Sequence, residues 1–368
     1  MTMNGFSRVR GNALIDLVVF LACVSLLAGL AMPWLVQMRA RKRLDHCTLQ
    51  VRELCLGAHN FHDAFKSLPP ATLGLDKAVH ADVWATREES VDYWKNQQNS
   101  SFRLLVAPFM EWGRPYYEAV DPGAFNMFKS LAKIRRDNPD FTATWQGDID
   151  GIGEAIEERI ESLLCPEDDL QERELPAIIA TQPCQPVEAE GMAAIDLAND
   201  IAMQTWQDSE RPLGPTSYLG CIGALGGRAM SGDPEDDKWQ GAMSSRSRNQ
   251  LHSIGDGTSM TLMLGESLGD IHEGERTAAQ SWVWGGAGRI SGLVGPHTGT
   301  HALQEDHIGI LGDGQFSSAV GFGSKHDGTV TFALCDGSVR EISRDIDWQV
   351  LYQLAARADG NPIDRSRF

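Results

Sequence analysis

The feature that most constrains this chain is an apolar run close to its N-terminus. Residues 17–36 read LVVFLACVSLLAGLAMPWLV, twenty residues without a charged side chain. At about 1.5 Å of rise per residue, a helix of this length matches the ~30 Å hydrocarbon core of a bilayer. A secretory signal usually has a shorter apolar region that ends in a small-residue cleavage site, whereas Gln37 and Met38 follow this run. The run therefore predicts a retained transmembrane helix over residues 12–38, with a cleaved signal or a buried soluble helix as the alternatives.

Charge is divided unevenly along the chain. The first 43 residues hold six of the 32 basic residues and a single acid, Asp16. The remainder carries 26 basic against 49 acidic residues, a formal charge of −23. Because such a domain repels phosphate backbones, we expect no nucleic-acid partner. The basic residues on both sides of the apolar run can instead contact membrane lipid headgroups.

The residues before and inside the apolar run form a recognisable pattern. A basic leader ends at Gly11, the acid Asp16 stands five positions later, and Pro33 lies within the apolar helix. This pattern resembles the N-terminus of type IV prepilins and type II secretion pseudopilins. The resemblance implies that a prepilin peptidase removes residues 1–11 and methylates Asn12, and that Asp16 acts as an assembly charge. The alternative is a plain signal anchor with Asp16 at the membrane interface.

A helical stripe continues beyond the membrane run. Apolar or small residues recur at alternating spacings of three and four, at Leu44, Cys47, Val51, Leu54, Ala58, Phe61, Phe65 and Leu68. This spacing predicts that residues 39–70 continue the helix to about Lys66, where Leu68-Pro69-Pro70 ends it. We expect the stripe to pack on a sheet, with a parallel coiled-coil stalk as the alternative.

Several further segments occur in an order that resembles one family. They are Leu54–Ala71, Ser100–Val120, Leu163–Asp169, Thr216–Ala224, Leu251–Ser267 and Ser324–Asp347. Together they resemble a large prepilin-like family of unknown function that is abundant in planctomycetes and carries a C-terminal His-x9-Asp-Gly signature. Here the signature is His326, nine residues, then Asp336-Gly337. The resemblance covers about residues 11–120 and 163–350, and it implies a pilin-like architecture without an assigned reaction.

The signature has a structural interpretation. Val330, Phe332 and Leu334 alternate with Thr329, Thr331 and Ala333. This alternation predicts a strand, and Asp336-Gly337 predicts a two-residue hairpin turn after it. We expect His326 to cap the strand, because a lone histidine with a turn aspartate is a weak metal or catalytic site.

Two other motifs point only weakly to chemistry. Residues 265–269 satisfy G-x-S-x-G, but no amphipathic helix follows them as a nucleophile elbow requires. His297, His301 and His307 lie among glycines without the helix that would align a zinc-binding pair. We therefore expect no catalytic residues, no metal site and no cofactor.

Seven cysteines occur, and Cys23 lies in the membrane run. The other six form an even number in the part of the chain that we expect outside the cytoplasm, where disulfides persist. The family-like segments place Cys47 on the long helix and Cys165 in a loop that could return to it, so the resemblance implies a Cys47–Cys165 disulfide. In a cytoplasmic protein these residues would be buried thiols.

These observations predict a pilin-like α+β protein in which a long N-terminal helix packs on an antiparallel sheet. Residues 71–368 form the globular domain, with insertions at about 121–160 and 170–212. We expect a single-pass inner-membrane protein whose C-terminal domain is periplasmic, although the basic residues that follow the run favour the opposite orientation. The expected role is a non-enzymatic subunit or accessory of a type II secretion or type IV pilus-like assembly, in homo- or hetero-oligomers. The alternative is a monomeric anchored protein that binds a solute or glycan.

Overall fold

The fold is α+β, as the sequence predicts, and was obtained as a computed structural model. The structure describes residues 13–72, 101–112, 159–171, 175–184, 200–206, 214–224, 238–244, 247–282, 288–289, 311–318 and 320–363. The predicted leader, with Gly11 and Asn12, lies outside these residues, as do His297, His301, His307 and most of both predicted insertions. The chain divides into two compact units, Met1–Asp45 and His46–Phe368.

Helix α1 is continuous from Ala13 to Phe65 and contains Pro33. In the first unit its apolar side chains are exposed, with Phe20, Leu27 and Leu30 among them. In the described part of the chain, this helix alone has the length and composition to cross a membrane. Such a helix fits a single-pass membrane anchor or a signal sequence.

The end of α1 is set by a local cap. Lys66 adopts a positive φ of 59°, and its N–H donates to the carbonyl of His62 at 2.7 Å. Leu68, next to the prolines, is fully buried and its N–H donates to the carbonyl of Asn249. The helix thus ends one residue before the predicted position, because the left-handed residue breaks the hydrogen-bond ladder.

Two short α-helices, ten strands and five 3₁₀ turns make up the rest of the described secondary structure. The helices are α2 (Phe102–Val106) and α3 (Trp348–Ala355). The strands are β1 (Ala177–Cys184), β2 (Asp200–Trp206), β3 (Pro215–Thr216), β4 (Tyr218–Gly223), β5 (Leu262–Glu266), β6 (Asp270–His272), β7 (Glu275–Ser281), β8 (Gly288–Arg289), β9 (Thr329–Leu334) and β10 (Val339–Ser343). One sheet has the order β2-β1-β7-β3, with β6 also paired to β7, and the other has the order β10-β9-β5-β4-β8.

The second sheet is covered on both faces. The part of α1 that belongs to the second unit packs through Val51, Leu54 and Ala58 into a cluster that includes Leu264 and Ala333. Helix α3 packs on the opposite face in a second cluster, whose members include Leu262, Val330, Phe332, Leu334, Val350, Leu351 and Leu354. Because each buried side chain of this size contributes about 1.5–3 kcal/mol, these two layers form the main core. The predicted helical stripe therefore packs on a sheet.

A buried arginine links α2 to both sheets. Arg103 is fully buried and donates hydrogen bonds to the carbonyl oxygens of Tyr218, Ser281 (2.9 Å) and Trp282 (3.4 Å). Tyr218 is in β4 of the second sheet and Ser281 is in β7 of the first. Burial lowers the pKa of Arg103 to about 9, so the guanidinium is still charged at neutral pH.

The signature hairpin differs in its turn from the predicted form. Strands β9 and β10 pair antiparallel, and the Gly337 N–H donates to the carbonyl of Leu334 at 3.0 Å. The Leu334 N–H in turn donates to the carbonyl of Ser338 at 2.8 Å, so the loop holds Cys335, Asp336 and Gly337 rather than two residues. Gly337 has φ 88°, which is the left-handed position that such a three-residue loop requires.

Candidate functional site

Four side chains that can bind a metal meet in the interior of the second unit. They are Cys47, Cys165, Glu266 and His326, and one ligand atom from each lies within 4.8 Å of all the others. None of the four residues is more than 5% exposed. The site is therefore closed to bulk water.

The imidazole of His326 lies at the centre of this group. Its Nε2 atom is 3.1 Å from the sulfur of Cys47 and 3.3 Å from the sulfur of Cys165. The same nitrogen is 3.5 Å from Oε1 of Glu266. A single ring nitrogen thus faces two thiols and one carboxylate.

Four different elements supply these groups. Cys47 lies on the buried stripe of α1, and Cys165 follows the 3₁₀ turn Glu161–Leu163. Glu266 is the last residue of β5, and His326 lies in the loop before β9. Because β5 and β9 are neighbours in the sheet, the end of β5 lies beside the start of β9.

Hydrogen bonds that involve the backbone hold three of the four residues in place. The Thr331 N–H donates to Oε2 of Glu266 at 2.8 Å, which turns Oε1 toward His326. The Cys165 N–H donates to Oγ of Ser217 at 3.1 Å. The His326 N–H donates to Oγ of Ser324 at 3.1 Å, and its carbonyl accepts from Arg344 at 2.8 Å.

Burial dominates the electrostatics of the site. It raises the pKa of Glu266, although hydrogen bonds from Thr331 act in the opposite direction. Burial also raises the pKa of the Cys47 thiol. The pKa of Cys165 is raised by its contact with Cys47 and by burial. The site therefore favours protonated, uncharged groups unless a cation enters it.

A buried ionic network lies next to the site. Asp168 accepts from Arg276 and, at 3.1 Å, from the hydroxyl of Ser217. Asp169 lies 3.3 Å from Arg276 and 2.6 Å from the ammonium of Lys325. Burial raises the pKa of Asp168 despite these partners. Both neighbouring cations are thus already paired with aspartates.

A tyrosine covers the helix side of the site. The hydroxyl of Tyr218 donates to Oε1 of Gln50 at 2.6 Å, and Nε2 of Gln50 donates to the carbonyl of Glu161 at 3.0 Å. Burial raises the pKa of Tyr218 well above its usual range. This bridge ties α1 to the turn that carries Cys165.

The combination of cysteine, histidine and glutamate does not have the properties of a nucleophilic site. A reactive cysteine has a lowered pKa and contact with solvent, whereas both thiols here are buried and their pKa values are raised. Two sulfurs, an imidazole nitrogen and a carboxylate oxygen are instead a donor set that binds Zn²⁺.

The structure separates the signature residues that the sequence analysis grouped together. His326 precedes β9 and Asp336 follows it, so a strand of six residues, about 20 Å long, lies between them. Asp336 accepts from the N–H and hydroxyl of Ser338 in the turn. His326 has sulfur and carboxylate neighbours that the signature did not indicate.

The two cysteines of the expected disulfide are brought together. Their sulfurs lie within 4.8 Å of each other, but Cys47 and Cys165 are free thiols in this structure. The disulfide stays a prediction, and it competes with a metal for the same two sulfurs. Asp16, the predicted assembly charge, is exposed in the first turn of α1.

The sequence motifs did not indicate Glu266, because it occupies a variable position of the G-x-S-x-G pattern, in which Ser267 is the candidate residue. The hydroxyl of Ser267 donates to the backbone carbonyl of Gly321 at 3.0 Å. The sequence signal for Glu266 was a charged residue at the end of the apolar strand β5. A carboxylate that is buried there requires a partner and therefore indicates a polar site.

Comparison with known proteins assigns the chain to a family but does not assign an activity. No curated protein and no solved structure shows a significant match to the chain. The family model described as a protein of unknown function (DUF1559) matches residues 37–349, which include all four residues of the buried site. The chain therefore belongs to this family of proteins of unknown function (DUF1559).

Proposed function

We propose that this protein is a membrane-anchored, pilin-like structural subunit, an accessory or component of a type II secretion or type IV pilus-like assembly. The main support for the proposal is that the exposure of the apolar side chains changes along α1. Its first part exposes apolar side chains on all sides, whereas beyond His46 one face is buried against a sheet. A helix that continues from a lipid-matched segment into a folded domain suits lateral packing of subunits in a membrane.

The role is structural and requires no reaction. The proposed partners are membrane lipid, a prepilin peptidase that acts between Gly11 and Asn12, and other pilin-like subunits. The proposed location is the inner membrane, with the acidic domain in the periplasm. The charge of −23 outside the first 43 residues is consistent with a domain that does not bind nucleic acid.

The proposal is tested on the full chain in native membranes. We expect the membrane-extracted protein to begin at a methylated Asn12 and to remain in the membrane after a carbonate wash. Amine-reactive cross-linking should give a ladder that extends beyond dimers. Protease should reach the acidic domain in spheroplasts without lysis of the inner membrane.

Three results would contradict the proposal. A mature N-terminus beyond Met38 would mean that the apolar run is a cleaved signal. A cross-linked dimer with no larger species would favour an anchored dimer over a pilus-like assembly. A monomer under all cross-linking conditions would favour the anchored binding protein.

A further inference from the structure

We propose that Cys47, Cys165, Glu266 and His326 form a structural zinc site that clips the helix α1 to the sheet. This inference goes beyond the proposed function and does not depend on it. The signature pair of His326 and Asp336 predicted no metal site, because a lone histidine with a turn aspartate is a weak donor set. The four residues come together only in the folded chain.

The geometry of the donor atoms suits a tetrahedral ion. With Zn–S bonds of 2.3 Å and Zn–N or Zn–O bonds near 2.0 Å, neighbouring ligands of zinc are separated by roughly 3.3–3.8 Å. Nε2 of His326 lies 3.1 Å and 3.3 Å from the two sulfurs and 3.5 Å from Oε1 of Glu266. The other three pairs of donor atoms lie within 4.8 Å, so shifts of at most about 1 Å would place all four atoms at zinc-ligand separations.

A poorly satisfied carboxylate oxygen of Glu266 also points to a bound cation. Glu266 is 2% exposed, and among the described residues its Oε1 atom has no hydrogen bond of ordinary geometry. Its other oxygen accepts from the backbone of Thr331. Nε2 of His326, 3.5 Å from Oε1, is a weak partner for it, and a poorly satisfied buried acceptor is costly. A cation bound among the four groups would satisfy it.

The chemistry of the donors selects the metal. Thiolates and imidazole bind Zn²⁺ well, whereas Ca²⁺ and Mg²⁺ require mainly oxygen ligands. Four protein ligands in a closed site leave no open position for a substrate, which is the property of a structural zinc. A divalent ion would also compensate the charge that burial otherwise disfavours on the two thiols and the carboxylate.

The site connects parts of the chain that are distant in sequence. It joins the first buried turn of α1 to the end of β5 and to the loop before β9. The Thr331 N–H, which donates to Glu266, and the Ser217 hydroxyl oxygen, which accepts from the Cys165 N–H, already hold these two residues in place. Supporting contacts of this type fix metal ligands before the ion binds.

The test uses the full chain, purified in detergent with a non-thiol reductant and no chelator. We expect about one Zn²⁺ per chain by elemental analysis, since binding at a closed four-ligand site is tight. Replacement by Co²⁺ should give the intense visible absorption of tetrahedral thiolate coordination. The double variant Cys47→Ser/Cys165→Ser should lose both the zinc and this absorption. The matched control is Cys55→Ser, which alters another buried thiol of α1 and should keep both signals.

A more conservative substitution tests the proposal if the double variant does not fold. Glu266→Gln keeps the shape of the side chain, and we expect at least a tenfold weaker Zn²⁺ affinity in competition with a colorimetric chelator. Wild-type protein without zinc and without cobalt absorption would overturn the proposal. Zinc retained in the double variant would overturn it too. A Cys47–Cys165 disulfide in protein alkylated at harvest would likewise overturn it, because a disulfide leaves no thiolate ligands.

Discussion

Nε2 of His326 lies 3.1 Å from the sulfur of Cys47, although 279 positions separate the two residues in the chain. Cys47 is on the first helix, and His326 precedes the hairpin near the C-terminus. The contact joins the start of the second unit to a loop near its C-terminal end. Contacts of such high sequence separation form slowly, since loop-closure entropy must be lost before they stabilise the chain.

The hairpin turn provides a test of backbone strain. Gly337 has φ 88°, and a Cβ at this position would have its nearest neighbour, Nε2 of His59, at 3.8 Å. Space is therefore available, and only the conformation opposes a side chain. We expect Gly337→Val to lower the free energy of unfolding by about 1–3 kcal/mol, measured by urea titration. Gly337→Asn should cost clearly less, because asparagine tolerates positive φ. Equal losses for both variants would contradict this explanation.

Arg103 should be among the most sensitive positions outside the proposed zinc site. Its guanidinium donates to three buried carbonyl oxygens, two of which are on different sheets. Arg103→Met removes three hydrogen bonds to buried carbonyl oxygens, and we expect a loss of about 3 kcal/mol or more in the free energy of unfolding. Arg103→Lys should recover only part of it, because an ammonium lacks the planar fork.

The exposed Arg340 serves as the matched control for Arg103. Arg340→Met should change the free energy of unfolding by no more than about 1 kcal/mol, the upper range for a surface charge pair. If both arginine variants had similar stability, the three carbonyl contacts would not be the source of the effect.

His59 should contribute to acid sensitivity. Burial and the neighbouring His62 lower its pKa from 6.5, while Asp63 and Asp336 act in the opposite direction. Below pH 6.5 the unfolded chain binds the proton more readily than the folded protein does. The stability associated with neutral His59 is therefore fully present above pH 6.5 and is lost as the pH falls toward the lowered folded value.

The His59 prediction is checked by measuring thermal stability between pH 7.5 and 5. We expect His59→Gln to lose less stability than wild type over this range. His252→Gln, at an exposed histidine, should follow the wild-type profile. A parallel profile for His59→Gln would show that this imidazole does not contribute to the acid sensitivity.

Asp16 tests the proposed assembly. It is exposed in the first turn of α1. If a neighbouring subunit supplies the amine of Asn12, the pair is strongest where lipid excludes water. We expect Asp16→Asn to insert and to be cleaved normally, and to give fewer cross-linked oligomers than wild type at matched expression. An unchanged ladder would leave Asp16 as an interfacial acid without a role in assembly.

Local patterns in the sequence were sufficient to predict the helix face and the strand that form much of the core. The three-and-four spacing of Val51, Leu54 and Ala58 predicted the face of α1 that packs on a sheet, and all three residues are fully or almost fully buried. The alternation around Phe332 predicted the strand β9. Periodicity succeeds here because each side chain's direction follows from its own backbone geometry. The hairpin loop was one residue longer than predicted, because Asp-Gly also suits a three-residue loop that ends in a left-handed glycine.

The sequence by itself determined the apolar run, the helical stripe, the signature strand and the α+β class, since each depends on residues that are neighbours in the chain. Only the tertiary structure decided the site. Glu266 meets His326 because β5 pairs with β9, and Cys47 reaches both because one face of α1 is buried on that sheet. Strand order and helix placement arise from packing between distant segments, and no local pattern of hydrophobicity specifies them.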